Sequence, residues 1–280
     1  MNSTVALVIG SGSVKCAAAL GLQRALTRAG IEIDLVAGCS GGALYAAQIA
    51  LGIDTATAIE MTRRMWTHEI TAKTNRRSVL SMMLPRVFGF SPEFGLRDDR
   101  LVMQRLNEAF GGKTFADAKI PLHIAATDFQ TGEQVVMSSG NLVDALRASI
   151  AMPFVFKPWR VGDRLLTDGY LSDPLPIGVA IKEGAEVIVA IGFESPAQTH
   201  ITSPMRFAFQ ISSIMTNNLL KANYAFHSLA HYSEVIAIVP EFRDRIRLFD
   251  TDKIERIIED GERATEEQIP YLKKLLVGGG

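Results

Sequence analysis

Two short apolar runs near the N-terminus, VALVI at 5–9 and IDLVA at 33–37, each end in a glycine-rich turn and lead into a helical pattern. Runs this short suit strands covered on both faces, and the helices between them return the chain for parallel pairing. The alternation therefore points to an α/β architecture with a parallel sheet. The spacing predicts helices over 17–28, stopped by Gly30, over 42–50, and over 55–67 behind a threonine cap. Beyond a helix over 99–110, a strand starts at Pro121, and DFQTGEQVVMSSG forms a hairpin turning at Thr131-Gly132. Helices over 141–149, 177–183 and 204–230 then alternate with strands over 164–167, 186–191 and 234–239, before a last helix over 251–276. No linker, repeat or low-complexity tract interrupts the 280 residues, so the expectation is one domain.

One stretch breaks the alternation. SVLSMMLPRVFGFSPEFGL, within 68–96, is Met- and Phe-rich and cut by prolines and glycines. Irregular segments of this length often serve a function, so a lid or groove wall is expected here in preference to plain core.

The formal net charge of −1 offers no basic face for nucleic acid. Cys16 and Cys39 are too few for a disulfide scaffold and read as free thiols in a reducing compartment. MNSTVALVIGSGS has no basic region ahead of a long apolar run, and no stretch is long enough to cross a bilayer. A cytoplasmic protein is expected, with contact at the inner face of the membrane limited to peripheral association. No polybasic cluster adds electrostatic attraction to a bilayer.

Both glycine-rich turns follow strands, which places GSGSVK (10–15) and GCSGG (38–42) at the carboxyl edge of a parallel sheet, where ligands bind. A dinucleotide fingerprint fails, because Lys15 occupies the third glycine position and no acid ends the second strand. A phosphate-binding Walker loop fails for want of a closing Gly-Lys-Ser/Thr. The same geometry suits an oxyanion hole, since glycine allows close approach and N–H groups at a helix start are unpaired.

Ser40 lies in G-x-S-x-G, a pattern of the nucleophile elbow, and also of an ordinary glycine-rich turn. As a nucleophile it needs a base. His68, His123 and His200 stand in unremarkable contexts, while His227 and His231 are four apart on a helix and could supply a triad base. No third residue completes a recognisable zinc spacing around them. Asp168, followed by Gly169 at the end of a strand, is either a turn aspartate or a carboxylate reaching the Ser40 edge.

Three blocks in order resemble the patatin-like phospholipase family, of compact bacterial type: LVIGSGSVKCAAALGLQRAL, GCSGGAL and DGYLSDPLP. TDFQTGEQVVMSSG and ALRASIAMPFVFKPW are also similar to that family, and the likeness runs from about residue 5 to 240. The resemblance implies a three-layer α/β fold, with a mostly parallel central sheet, helices on both faces and the C-terminal helix packed on it. It implies a lipid-ester hydrolase (phospholipase A, lysophospholipase or carboxylesterase) that needs no cofactor and works by a Ser–Asp dyad. Ser40 is then the nucleophile, flanked by elbow residues Gly38, Cys39, Gly41 and Gly42. Asp168 is the base, in an Asp-Gly motif with Gly169 and Tyr170. Gly10, Ser11, Gly12, Ser13 and Lys15 form the oxyanion loop, with the donor N–H groups near Gly12 and Ser13.

The chain departs from the family pattern at several positions. Ser11 and Ser13 stand in for glycines, tolerable where φ stays negative, and Cys16, Ala19 and Tyr170 also differ. These departures bear on pocket width. Residues 79–94 are the expected acyl groove or lid. Helix 204–230 is expected to pack on the sheet, with a second wall of the groove as the alternative. Two other functional readings stay open: an α/β-hydrolase with a Ser–Asp–His triad, and a non-catalytic lipid binder that kept the fold.

Overall fold

Strand β1 (Val5–Ile9) pairs in parallel with β2 (Leu35–Cys39), and β2 in turn pairs in parallel with β3 (Leu122–Asp128). The computed structural model describes residues 4–195, 200–230 and 233–278. β3 pairs antiparallel with β4 (Gln134–Met137) and with β6 (Arg164–Asp168), which carries β5 (Trp159–Val161) at the edge. On the other side β1 pairs in parallel with β7 (Val187–Ile191), and β7 with β8 (Glu234–Ile238). The eight strands among the described residues run in the order β5-β6-β3-β2-β1-β7-β8, with β4 also on β3.

Every residue of β1, β2 and β7 is buried. Their side chains divide by the two-residue period of a strand. Val5, Leu7 and Ile9 face the larger core, with α1 (Ala18–Arg28) and α2 (Gly41–Ala50) packed over them. Ala6 and Val8 face a smaller second core. This is the three-layer α/β fold with a mostly parallel sheet that the sequence implies.

The larger layer also holds α3 (Thr55–Met65), α6 (Arg100–Phe110) and α7 (Leu142–Ser149), with α4 (Arg76–Met83) and α5 (Pro85–Phe88) lying outside it. The second layer consists of α8 (Ile177–Lys182) and α9 (Pro204–Ala230), the latter through Leu220 and Tyr224. α10 (Ile254–Glu266) lies against α1, burying Ile254, Ile257 and Ile258. Arg28 of α1 bonds Glu262 and Glu266 across that contact.

Three boundaries differ from the sequence expectation. The cap of α3 is Asp54, whose carboxylate accepts the Thr57 N–H at 3.0 Å, one residue ahead of the expected threonine. The last helix is divided, and α11 (Ile269–Gly278) begins separately with Pro270 in its first turn. Proline has no N–H to continue the α10 ladder but is tolerated in a first turn. β2 lies two residues further on than expected, because pairing of Gly38 with Ile124 and Cys39 with Ala125 draws the turn sequence into the sheet.

Candidate active site

The elbow is built by steric exclusion. Ser40 joins the end of β2 to the start of α2 at φ 55° and ψ −126°, a conformation that costs a non-glycine residue about 1–3 kcal/mol. A side chain on Gly42 would place Cβ 2.4 Å from the carbonyl oxygens of Ile9 and Gly10, and one on Gly41 would reach Ser13 N at 2.8 Å. The bare backbone here lets the 10–15 loop sit directly against the elbow. Gly38 lies against Ala43 and Ala46 of α2. Cys39 is buried, and burial pushes its thiol well above the usual range. The Ser40 N–H donates to Ser149 Oγ at 2.8 Å, and that hydroxyl donates onward to Ala125 O at 2.7 Å. Ser149 lies in the family-like ALRASIAMPFVFKPW block but carried no distinguishing spacing, so sequence reading assigned it no role.

Antiparallel pairing of β6 with β3, Asp168 opposite Ala126, brings the carboxylate to the same sheet edge. Ser40 Oγ donates to Asp168 Oδ2 at 2.8 Å, and the Tyr170 N–H donates to Oδ1 at 3.2 Å. Thr127 Oγ1 donates to the Asp168 carbonyl at 2.9 Å and fixes the turn. Asp168 is wholly buried, and burial raises its pKa to about 7, against the opposing pull of the Ser40 and Tyr170 hydrogen bonds. Gly169 packs against Ala125 and Cys39. The Tyr170 hydroxyl accepts from Ser212 Oγ of α9 at 3.0 Å, so this phenol ties the turn after Asp168 to the cavity wall.

The 10–15 loop divides into anchored and cavity-facing parts. The Gly10 N–H donates to Ile191 O at 2.9 Å and the Ser11 N–H to Pro174 O at 2.8 Å, so these two residues of the expected oxyanion loop anchor it and their N–H groups are already paired. Gly12 and Ser13 line the cavity. Ser13 adopts φ 58°, so the negative φ under which a serine replaces glycine at little cost is not met there. Its hydroxyl offsets that strain by donating to Leu248 O at 2.6 Å and accepting from Trp66 Nε1 at 3.0 Å. The Lys15 ammonium donates to Glu194 O at 2.7 Å, tying the loop to the segment beyond β7, and burial lowers its pKa. Cys16 and Ala19 are buried behind the loop, away from the cavity lining.

The cavity at Ser40 has a volume of about 650 Å³. Residues 79–94 do not line it, so the expected acyl groove is corrected. The walls come from Met152, Tyr170, the N-terminal half of α9 and the loop 245–248. α9 therefore has two roles, cavity wall in its first half and sheet cover in its second. Met82, Met83, Leu84, Val87, Phe88 and Phe90 are instead exposed on the surface. The short α4 and α5 leave no side large enough to bury so many apolar groups.

Among the histidines of the described residues, only His200 lines the cavity. His68 packs edge-on to Phe249, His123 lies 3.9 Å from Glu183, and His227 packs at Gly178 of α8. His231 lies outside the described residues. The group bonded to Ser40 Oγ is the Asp168 carboxylate itself. No helix of the described residues is long and apolar enough to cross a membrane.

The family model for patatin-like phospholipases matches residues 7–181. An uncharacterized NTE family protein of Mycobacterium tuberculosis is 30% identical over 187 residues, covering 67% of this chain and 48% of the relative. Patatin-like phospholipase domain-containing protein 7 of Rattus norvegicus is 27% identical over 205 residues, covering 72% of this chain and 14% of the relative. The chain thus spans about half, or less, of the length of these curated relatives. The crystal structure of VipD from Legionella pneumophila shares the fold, with a TM-score of 0.51 at 15% identity, over 96% of this chain and 67% of VipD. The family match extends over more than half of the chain and includes Ser40 and Asp168, and the chain belongs to the patatin-like phospholipase family.

Proposed function

We propose that this chain is a serine acyl hydrolase of lipid carboxylic esters, with Ser40 as nucleophile and Asp168 as base. One observation carries the reading: Ser40 Oγ donates at 2.8 Å to a carboxylate whose burial has raised its pKa to about 7. An ordinary carboxylate, with a pKa near ~4, is a poor acceptor for a serine proton. A desolvated one is closer in proton affinity and titrates near neutral pH.

As Ser40 Oγ attacks the ester carbonyl, its proton passes to Asp168 Oδ2. The carbonyl oxygen becomes an oxyanion held by the N–H groups of Gly12 and Ser13, each such donor contributing about 3–4 kcal/mol. Collapse breaks the bond to the alcohol, which leaves with the proton from Asp168. Water then gives a proton to Asp168 and attacks the acyl-enzyme, and as the bond to Ser40 Oγ breaks Asp168 returns that proton to it, releasing the fatty acid and restoring both groups. Phospholipase A, lysophospholipase and carboxylesterase activities all follow this chemistry. The exposed apolar side chains of 82–90 form a surface for peripheral contact with a lipid interface.

The test is hydrolysis of a chain-length series of p-nitrophenyl esters by wild type, Ser40→Ala and Asp168→Asn. Loss of activity in both variants supports the dyad, and the preferred chain length sizes the cavity. Activity surviving in Ser40→Ala refutes the nucleophile. Lipid binding without hydrolysis by any of the three proteins favours a non-catalytic lipid binder.

A further inference from the structure

The cavity at Ser40 is lined by four cationic side chains, Lys15, Arg206, Arg245 and Arg247, and by no aspartate or glutamate. That imbalance is unusual for a chain with a net charge of −1. Nearby charges are neutralised within the fold. Arg243 pairs with Asp260 and Glu259, Arg256 with Asp244, Lys253 with Asp250, and Lys221 with Glu194. Among the described residues, the guanidinium groups of Arg206, Arg245 and Arg247 make no salt bridge. Arg206 gives one N–H to His200 O at 3.3 Å, which leaves most of its fork unused. Along 243–247, Arg243 thus turns to acidic partners on α10, while Arg245 and Arg247 line the cavity.

We infer that this cationic wall binds the phosphate of a net-negative phospholipid head group and so sets the substrate class of the Ser40 site. Arginine presents parallel N–H donors that match a phosphate, and such charge-assisted bonds are about twice as strong as neutral ones. A zwitterionic head group adds a cation, which meets four positive side chains and no carboxylate in the lining. Discrimination therefore comes as much from repulsion of the choline or ethanolamine cation as from attraction of the phosphate. Ser213 of α9 lines the same cavity and adds a hydroxyl donor for the head group's phosphate or glycerol oxygens, the Ser212 O–H being given to Tyr170.

The inference rests on the proposed function for its claim that the lipid ester reaches Ser40, and its test is separable from catalysis. Binding of short-chain, monomeric dihexanoyl-phosphatidylglycerol, dihexanoyl-phosphatidylcholine and inorganic phosphate to the Ser40→Ala protein is measured by calorimetry at low salt. Phosphatidylglycerol is expected to bind about tenfold tighter than phosphatidylcholine, with the preference shrinking at high salt. The double variant Arg206→Gln/Arg247→Gln is expected to lose the preference, and Arg206→Lys/Arg247→Lys to retain part of it, which separates charge from misfolding. Equal binding of the two lipids overturns the inference, as does a preference that persists in the glutamine variant. Inorganic phosphate binding as tightly as phosphatidylglycerol overturns it in favour of a free-phosphate site. A phosphatidylglycerol preference in a protein that hydrolyses no ester supports the head-group site while refuting the catalytic reading.

Discussion

Replacing Asp168 with asparagine is expected to stabilise the protein, by an amount that grows with pH. Burial raises the carboxyl from its ordinary value of 3.8 to about 7 in the fold. That difference of about three units corresponds to roughly 4 kcal/mol at 1.36 kcal/mol per unit. The sign follows from proton counting. Below about pH 4 the carboxyl is protonated in both the folded and the unfolded chain, and burial of charge costs nothing. Between about pH 4 and 7 the unfolded chain has released the proton while the fold retains it, so stability falls as pH rises. Above about pH 7 the fold holds the buried charge and the cost is constant. Asparagine carries no such charge. Its nearly equal size lets it occupy the same site between Ser40 and the Tyr170 N–H. Asp173, which burial raises to about 6, is present in both proteins and cancels in their difference. Urea unfolding of wild type and Asp168→Asn in parallel at pH 5, 6, 7 and 8 measures that difference. The advantage of the variant should widen by about 1.4 kcal/mol per unit up to pH 7 and then level off. A gap independent of pH refutes the argument that burial dominates this carboxyl.

The same titration governs turnover, since only the ionised Asp168 accepts a proton. kcat/KM on a neutral p-nitrophenyl ester should rise about tenfold per pH unit below 7 and flatten above it, and a flat profile from pH 5 to 8 contradicts the assignment of the base. Ser149→Ala removes the acceptor of the buried Ser40 N–H and is expected to cost about 1–3 kcal/mol in urea unfolding. The same variant should lower kcat more than it raises KM, because its effect is on the set of the elbow, and Ser149→Thr should recover part of both.

Much of the fold was legible because the central strands are continuous apolar runs. VALVI and VIVAI have no polar residue for solvent to claim, so each must be covered on both sides, and the helices between them decide parallel pairing. Ser40 was singled out by its G-x-S-x-G turn and Asp168 by resemblance to the family's Asp-Gly block, and the glycines beside both are positions where a Cβ, on Gly42 or Gly169, would collide with backbone. Other features depended on residues far apart in the chain. Asp168 reaches Ser40 through the pairing of β6 with β3, across 128 positions of sequence. Its raised pKa comes from complete burial, a property of everything packed around it and of no local pattern. The walls of the cavity show the same limit. Residues 79–94 have the composition of a groove, yet the groove is formed by α9 and 245–248, because those segments cross the carboxyl edge of the sheet beside Ser40. Hydrophobic periodicity reports which residues seek cover, and only the tertiary contacts determine what covers them.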